Sequence, residues 1–194
     1  MTNPSDLSDK ILACAITLAE NSSWETLCLH HIAHALDIPL QDIHRHFSVK
    51  DDLVEAWYDR ADSAMLHAAQ ASDFSSLNYR QRLCRLIMAW LDFLAQHKTV
   101  SRDMLLYKLE PAHIHLQLQG LLRISATVQW LREAAQLEGT HLQRIAEEIG
   151  LTGIYVNTTV YWLFDLSEEQ VDTRRFLARQ LARAERFANT FFSP

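Results

Sequence analysis

The sequence predicts an all-α fold, on three observations. Glycine and proline number only four each in 194 residues, too few for the tight turns that a sheet protein needs. Hydrophobic residues make up 48% of the chain, enough to bury a substantial core. They also recur at intervals of three and four residues over long stretches, the spacing that lines one face of a helix.

The first helix runs from about Asp6 to Asn21, where Ile11, Leu12, Ala15, Ile16, Leu18 and Ala19 make the apolar face and Asn21, Ser22 and Ser23 end it. After a short connection, Leu29, Ile32, Ala33 and Leu36 give a second face, which Asp37, Ile38 and Pro39 break. A third helix of about two turns spans Leu40 to Phe47. Ile43 and Phe47 sit four apart and turn to a core together, which leaves Gln41, Asp42, His44 and Arg45 outward. Ser48-Val49-Lys50-Asp51 is a helix-start signature in which the Ser48 hydroxyl caps the backbone and Asp51 reaches back, so a long fourth helix follows to about Ala71.

Asp73 to Ser76 is the linker where a small head gives way to a larger body. The expected organisation is a head over 1–50, a connecting helix over 51–72 and a helical body over 73–194. Five further helices are expected in the body. Leu83, Leu86, Ile87, Trp90, Leu91 and Leu94 stripe the first, and a short one follows from Val100 to Leu109 until Pro111 interrupts it. The last three cover Leu118 to Ala135, Leu142 to Phe164 and Asp172 to Phe191.

Composition narrows the function classes. Cys14, Cys28 and Cys84 show no paired spacing, which disfavours a zinc knuckle or a disulfide framework and fits a reducing cytoplasm. The start of the chain lacks the basic and apolar regions of a secretory signal, and the closest approach to a membrane span, the uncharged stretch from Leu151 to Phe164, is too short. The formal net charge is −6. Residues 1–62 hold four Lys/Arg against eleven Asp/Glu, a net of −7, so the acidity lies in the head. No Gly-rich phosphate loop, nucleophile elbow or Cys/His pairing of recognisable spacing is present, and an enzyme is not expected. His30 and His34 share one helix face at a metal-compatible spacing, but no third ligand can be assigned, and neither a metal nor another cofactor is expected.

Three short helices followed by a capped long one form a helix-turn-helix head. The stretch from Trp24-Glu25-Thr26 through Ile32-Ala33, then Arg45-His46-Phe47-Ser48-Val49-Lys50-Asp51-Asp52-Leu53, resembles the head pattern of TetR-family transcriptional regulators. Five positions depart from that pattern: Cys28 stands for the Ser/Thr cap of the second helix and His30 for a basic residue. Asp37 stands for the turn glycine, Pro39 for a serine cap and His44 for a tyrosine. Asp37 can still adopt the left-handed conformation the turn requires.

The resemblance implies a homodimer whose two third helices enter successive major grooves of a palindromic operator in double-stranded DNA.

 On that resemblance Leu40, Gln41, His44, Arg45 and His46 face the DNA, with Gln41 suited to adenine, Arg45 to guanine or phosphate, and the histidines to phosphate. His30 and Lys50 meet the backbone at helix starts. The regulator would be a repressor released by a small apolar effector. The aromatic residues Trp90, Phe93, Tyr107, Trp130, Tyr155 and Trp162 are either ordinary core or the lining of the effector pocket, with His113 and Arg123 as its polar groups. The last two helices would form the four-helix dimer interface through Leu151, Ile154, Tyr155, Thr158, Leu181, Ala184 and Ala188. A second resemblance covers Trp162-Leu163-Phe164-Asp165-Leu166-Ser167, Thr173 and Phe176-Leu177-Ala178-Arg179. It is to the TetR-like lipid-binding proteins of ubiquinone biosynthesis, and implies a lipid- or isoprenoid-binding accessory protein that does not bind DNA.

Overall fold

A computed structural model describes residues 4–108, 114–137, 139 and 141–191. Among them the chain forms nine α-helices and no strand: α1 (Pro4–Asn21), α2 (Leu29–Ala35), α3 (Leu40–His46), α4 (Lys50–Ala68), α5 (Tyr79–Ala95), α6 (Lys98–Lys108), α7 (Ile114–Ala135), α8 (His141–Phe164) and α9 (Val171–Phe191). The all-α expectation holds. The expected linker at 73–76 contains a turn of 3-10 helix at Phe74–Ser76, and α7 begins four residues before its apolar stripe. No described helix is long and apolar enough to cross a membrane.

The chain divides into two compact units, Met1–Arg60 with Leu94–Leu116, and Ala61–Phe93 with Gln117–Pro194. In the first, Ile11, Leu12, Ala15 and Ile16 of α1, Ile32 and Ala33 of α2, and Ile43 of α3 are buried, together with Trp24, Leu27 and Phe47 from the connections. Full burial of Ile43 and Phe47 contributes about 1.5–3 kcal/mol each. The start of α4 differs in detail from the expected capping. The carboxylate that reaches back is Asp52, which accepts the N–H groups of Ser48 at 2.7 Å and Val49 at 3.0 Å. Because α4 begins at Lys50, Asp52 and not Asp51 is its third residue, the position from which a side chain reaches the cap. Asp51 instead faces Lys108 Nζ at 3.4 Å, and Lys108 also pairs with Glu55. α6 buries Val100, Ser101, Met104 and Lys108 along one stripe, and Ser101 Oγ accepts the Trp57 indole N–H at 2.9 Å while donating to the Leu94 carbonyl.

In the second unit Asp62 ties three helices together. Its carboxylate accepts Trp90 Nε1–H of α5 at 2.8 Å and, from α7, Arg123 at 2.7 Å and the Thr127 hydroxyl at 3.1 Å. α8 and α9 pack against each other and bury Leu151, Tyr155, Thr158, Trp162, Leu177 and Leu181. The bend between them is held by Asp165, only 6% exposed, which accepts the N–H groups of Ser167 at 2.8 Å and Thr173 at 2.9 Å and the Thr173 hydroxyl at 2.5 Å. Glu169 and Gln170 complete the bend at φ of 49° and 57°.

Burial alone would raise the Asp165 carboxyl, but the hydrogen bonds from Ser167 and Thr173 outweigh it and bring the group from 3.8 to about 2. A depressed carboxyl stabilises the fold fully above its ordinary value and loses that contribution as pH falls toward the folded value. Asp165→Asn is therefore expected to lower stability by about 2 kcal/mol at neutral pH. The difference from the parent should shrink between pH 4 and pH 2, as followed by denaturant melts at each pH.

Candidate nucleic-acid interface

With Ile43 and Phe47 turned inward, α3 exposes Leu40, Gln41, His44 and Arg45, while His46 is half-buried. The helix is placed by a turn that the sequence makes without glycine. Leu36 closes α2, the Asp37 N–H donates to the His34 carbonyl at 3.2 Å, and the Ile38 N–H donates to the Ala33 carbonyl at 3.0 Å. These are the paired bonds of a Schellman motif, and they hold Asp37 at φ 51°, the left-handed conformation that the motif requires. Pro39 then starts α3 by offering its carbonyl to the Asp42 N–H at 2.9 Å, and needs no side-chain cap to do so.

The charged groups on this face are largely committed to each other. Arg45 Nη1 lies 2.6 Å from Asp42 Oδ1, a pair one turn apart on the exposed side of α3. Lys50 is anchored inward: Nζ donates to the Trp24 and Glu25 carbonyls and lies 5.1 Å from the Trp24 ring centroid. Burial pushes its ammonium below the ordinary lysine value, against the opposing pull of Cys28 and Glu25. In this structure Lys50 thus tethers the α1–α2 connection. His30 is exposed at the start of α2. Beside it the Cys28 N–H donates to His31 Nδ1 at 3.2 Å, so the reach-back that a glutamate usually supplies comes from a histidine.

Comparison with known proteins decides the family. The chain is 44% identical to a TetR transcriptional regulator from Nitrosomonas europaea, over 92% of this chain and 98% of that one, with a TM-score of 0.82. The chain belongs to the TetR family. A tetR-family transcriptional regulator from Streptomyces coelicolor shares the fold at 16% identity and a TM-score of 0.67, covering 98% of this chain and 85% of that one. The COQ9 family model matches residues 147–188, which hold most of α8 and α9. No curated protein matches the chain. These structural relatives are transcriptional regulators, in keeping with the expectation that this TetR-family chain is not an enzyme.

Within the TetR-family body, Trp90, Arg123 and Tyr155 are brought together: Trp90 bonds Asp62, Arg123 pairs with the same carboxylate, and the Trp90 and Tyr155 rings meet edge to face at 5.3 Å. Arg123 is charge-balanced by Asp62, a residue the sequence reading missed. Trp162 is buried and Phe93 half-buried, whereas Trp130 is 51% exposed and stands outside any such lining. Tyr107 belongs to the other unit, 5.7 Å from Lys50 Nζ, and His113 lies outside the described residues.

Of the residues expected at a dimer interface, Leu151, Tyr155, Thr158 and Leu181 are buried inside the protomer between α8 and its neighbours, so they have no surface left for a partner. Ile154 and Ala184 are half-buried and Ala188 is exposed. The apolar surface lies on the other side of α8, where Ile149 (70% exposed), Val160 (47%) and Phe164 (65%) follow one stripe with Gly153 open between them.

The left-handed Asp37 gives a direct test of the turn. Glycine adopts that conformation without Cβ strain. Asp37→Gly should stabilise the protein by roughly 0.5–1 kcal/mol, read as a rise in melting temperature, and an unchanged or lower value would contradict the motif.

Proposed function

We propose that the protein is a dimeric, effector-responsive transcriptional repressor that acts in the cytoplasm, where α3 reads a palindromic operator in double-stranded DNA. The observation that carries this reading is the outward set Leu40, Gln41, His44 and Arg45 on a helix seated by Ile43 and Phe47, in a chain 44% identical to a regulator along nearly its whole length. Gln41 has the bidentate amide suited to adenine, and Arg45 the fork suited to guanine once it leaves Asp42. A small apolar effector would act in the body near Trp90 and Tyr155, where a polar cluster already joins α4, α5 and α7 through Asp62.

The test is a titration of purified protein against DNA from upstream of its own gene at two salt concentrations. Sequence-preferring binding that weakens steeply with salt is expected. Asp42→Asn removes the intrahelical competitor for Arg45 and should raise affinity several-fold. Salt-insensitive or sequence-indifferent binding would count against the repressor.

The dimer has its own test on α8. Phe164→Glu changes an exposed site and should leave folding within about 0.5 kcal/mol while light scattering shows a monomer. Leu151→Glu, by contrast, should unfold the protein. A dimer that persists in Phe164→Glu would move the interface elsewhere.

A second reading is favoured by the match of residues 147–188 to the COQ9 model and by the −7 charge of residues 1–62. It is a lipid- or isoprenoid-binding accessory protein. Co-purification of an isoprenoid lipid without any salt-dependent DNA binding would select it.

A further inference from the structure

We propose that Cys28, His30 and His31 form a binding site for a transition-metal ion of the zinc(II) class. The fold assembles these side chains where α2 begins. One ligand atom from each, the Cys28 sulfur and a ring nitrogen from each histidine, lies within 4.8 Å of the other two. Metal bonds of about 2.0–2.3 Å place tetrahedral ligands roughly 3.3–3.8 Å apart. All three side chains are exposed, and rotation about their side-chain bonds is the movement that closes the difference on binding. The two imidazole rings already meet at 4.2 Å between centroids. Among the described residues this is the one group of three or more such side chains placed so closely.

The ligand set selects the ion. One thiolate with two imidazoles favours zinc(II) and its relatives over magnesium or calcium, which take oxygen ligands. Three protein ligands leave a fourth position for water or an added ligand. Binding releases the Cys28 thiol proton to solvent and leaves a thiolate–metal bond.

Capture of the ion is coupled to the start of α2, because His31 Nδ1 now accepts the Cys28 N–H. Coordination through Nδ1 displaces that donor. Coordination through Nε2 moves the ring proton to Nδ1 and breaks the same hydrogen bond. In either case a metal bridge replaces the reach-back contact at the helix start. Spacing alone pairs His30 with His34, but the fold groups His30 with Cys28 and His31 instead.

The test uses the full chain and cobalt(II) as a probe, with zinc(II) as competitor. One equivalent of cobalt should give tetrahedral ligand-field bands and a sulfur-to-cobalt charge-transfer band, both bleached by zinc. Cys28→Ser should abolish the charge-transfer band, and Cys14→Ser and Cys84→Ser should keep it. His30→Ala and His31→Ala should each weaken zinc binding by at least the roughly 10–100-fold that loss of an outer-shell partner costs, and His34→Ala should leave it unchanged. Serine is a better helix cap than cysteine, so Cys28→Ser should melt at or above the parent temperature and separate lost metal from lost fold. Absence of the charge-transfer band, its survival in Cys28→Ser, or a loss that follows His34→Ala would overturn the site. The outcome is independent of whether the head binds DNA.

Discussion

The head depends on one lysine. In the connection between α1 and α2 the Trp24 carbonyl accepts the Leu27 N–H at 3.3 Å, and Lys50 Nζ, reaching from the first residue of α4, donates to the Trp24 and Glu25 carbonyls. Nζ itself lies over the Trp24 ring, 5.1 Å from its centroid, so the contact joins a charged hydrogen bond to a cation–π contact. With both ends of the α2–α3 segment fixed in this way, the outward residues of α3 are set by a closed loop of structure. Asp52 completes the same junction from the other side by taking the N–H groups of Ser48 and Val49. A lysine that a family pattern assigns to the DNA backbone is here part of the frame that aims the helix.

The body follows the same logic with opposite chemistry. Asp62 stands on the inward side of α4, between buried Tyr58 and Met65, and its carboxylate is balanced by Arg123 and supplied with further donors by Trp90 and Thr127. A paired, hydrogen-bonded charge in a half-buried position is tolerated because every element of the cluster supplies a bond. Removal of one member costs its neighbours a buried bond, which is why such a cluster fixes the relation of three helices more strictly than apolar contact alone. An effector entering near Trp90 would meet this arrangement first.

The helices and the buried pair Ile43 and Phe47 were legible in the sequence because apolar periodicity reports burial directly. The left-handed turn at Asp37 was legible from residue type. The roles of Lys50 and Arg45 were not, since a charge in a sequence carries no sign of the partner that tertiary contact will give it. Asp62 and Lys108 left a signal that periodicity could have supplied: each is a charged residue set in an apolar stripe, Lys108 four residues after buried Met104. The dimer residues show the limit most plainly. α8 has two apolar faces, and the sequence alone ranks neither; only the packing of Leu151, Tyr155 and Trp162 inside the protomer leaves Ile149, Val160 and Phe164 exposed.

The acidity of the head bears on how an operator could be read at all. With a net charge of −7 over residues 1–62, the long-range field repels a phosphate backbone, and sequence-independent binding should be weak. Affinity would then rest on close, salt-sensitive contacts from α3 to bases and phosphates rather than on the long-range field. The Asp42 carboxylate enforces that restriction locally, because Arg45 must exchange an ion pair of 2.6 Å for a base or phosphate before it contributes. An exposed pair of this kind is worth no more than about 1 kcal/mol, less than a bidentate contact to guanine supplies. On the proposed reading a correct base would therefore draw Arg45 away, while a wrong one would leave it paired with Asp42, and the acidic head would become a source of discrimination between sites.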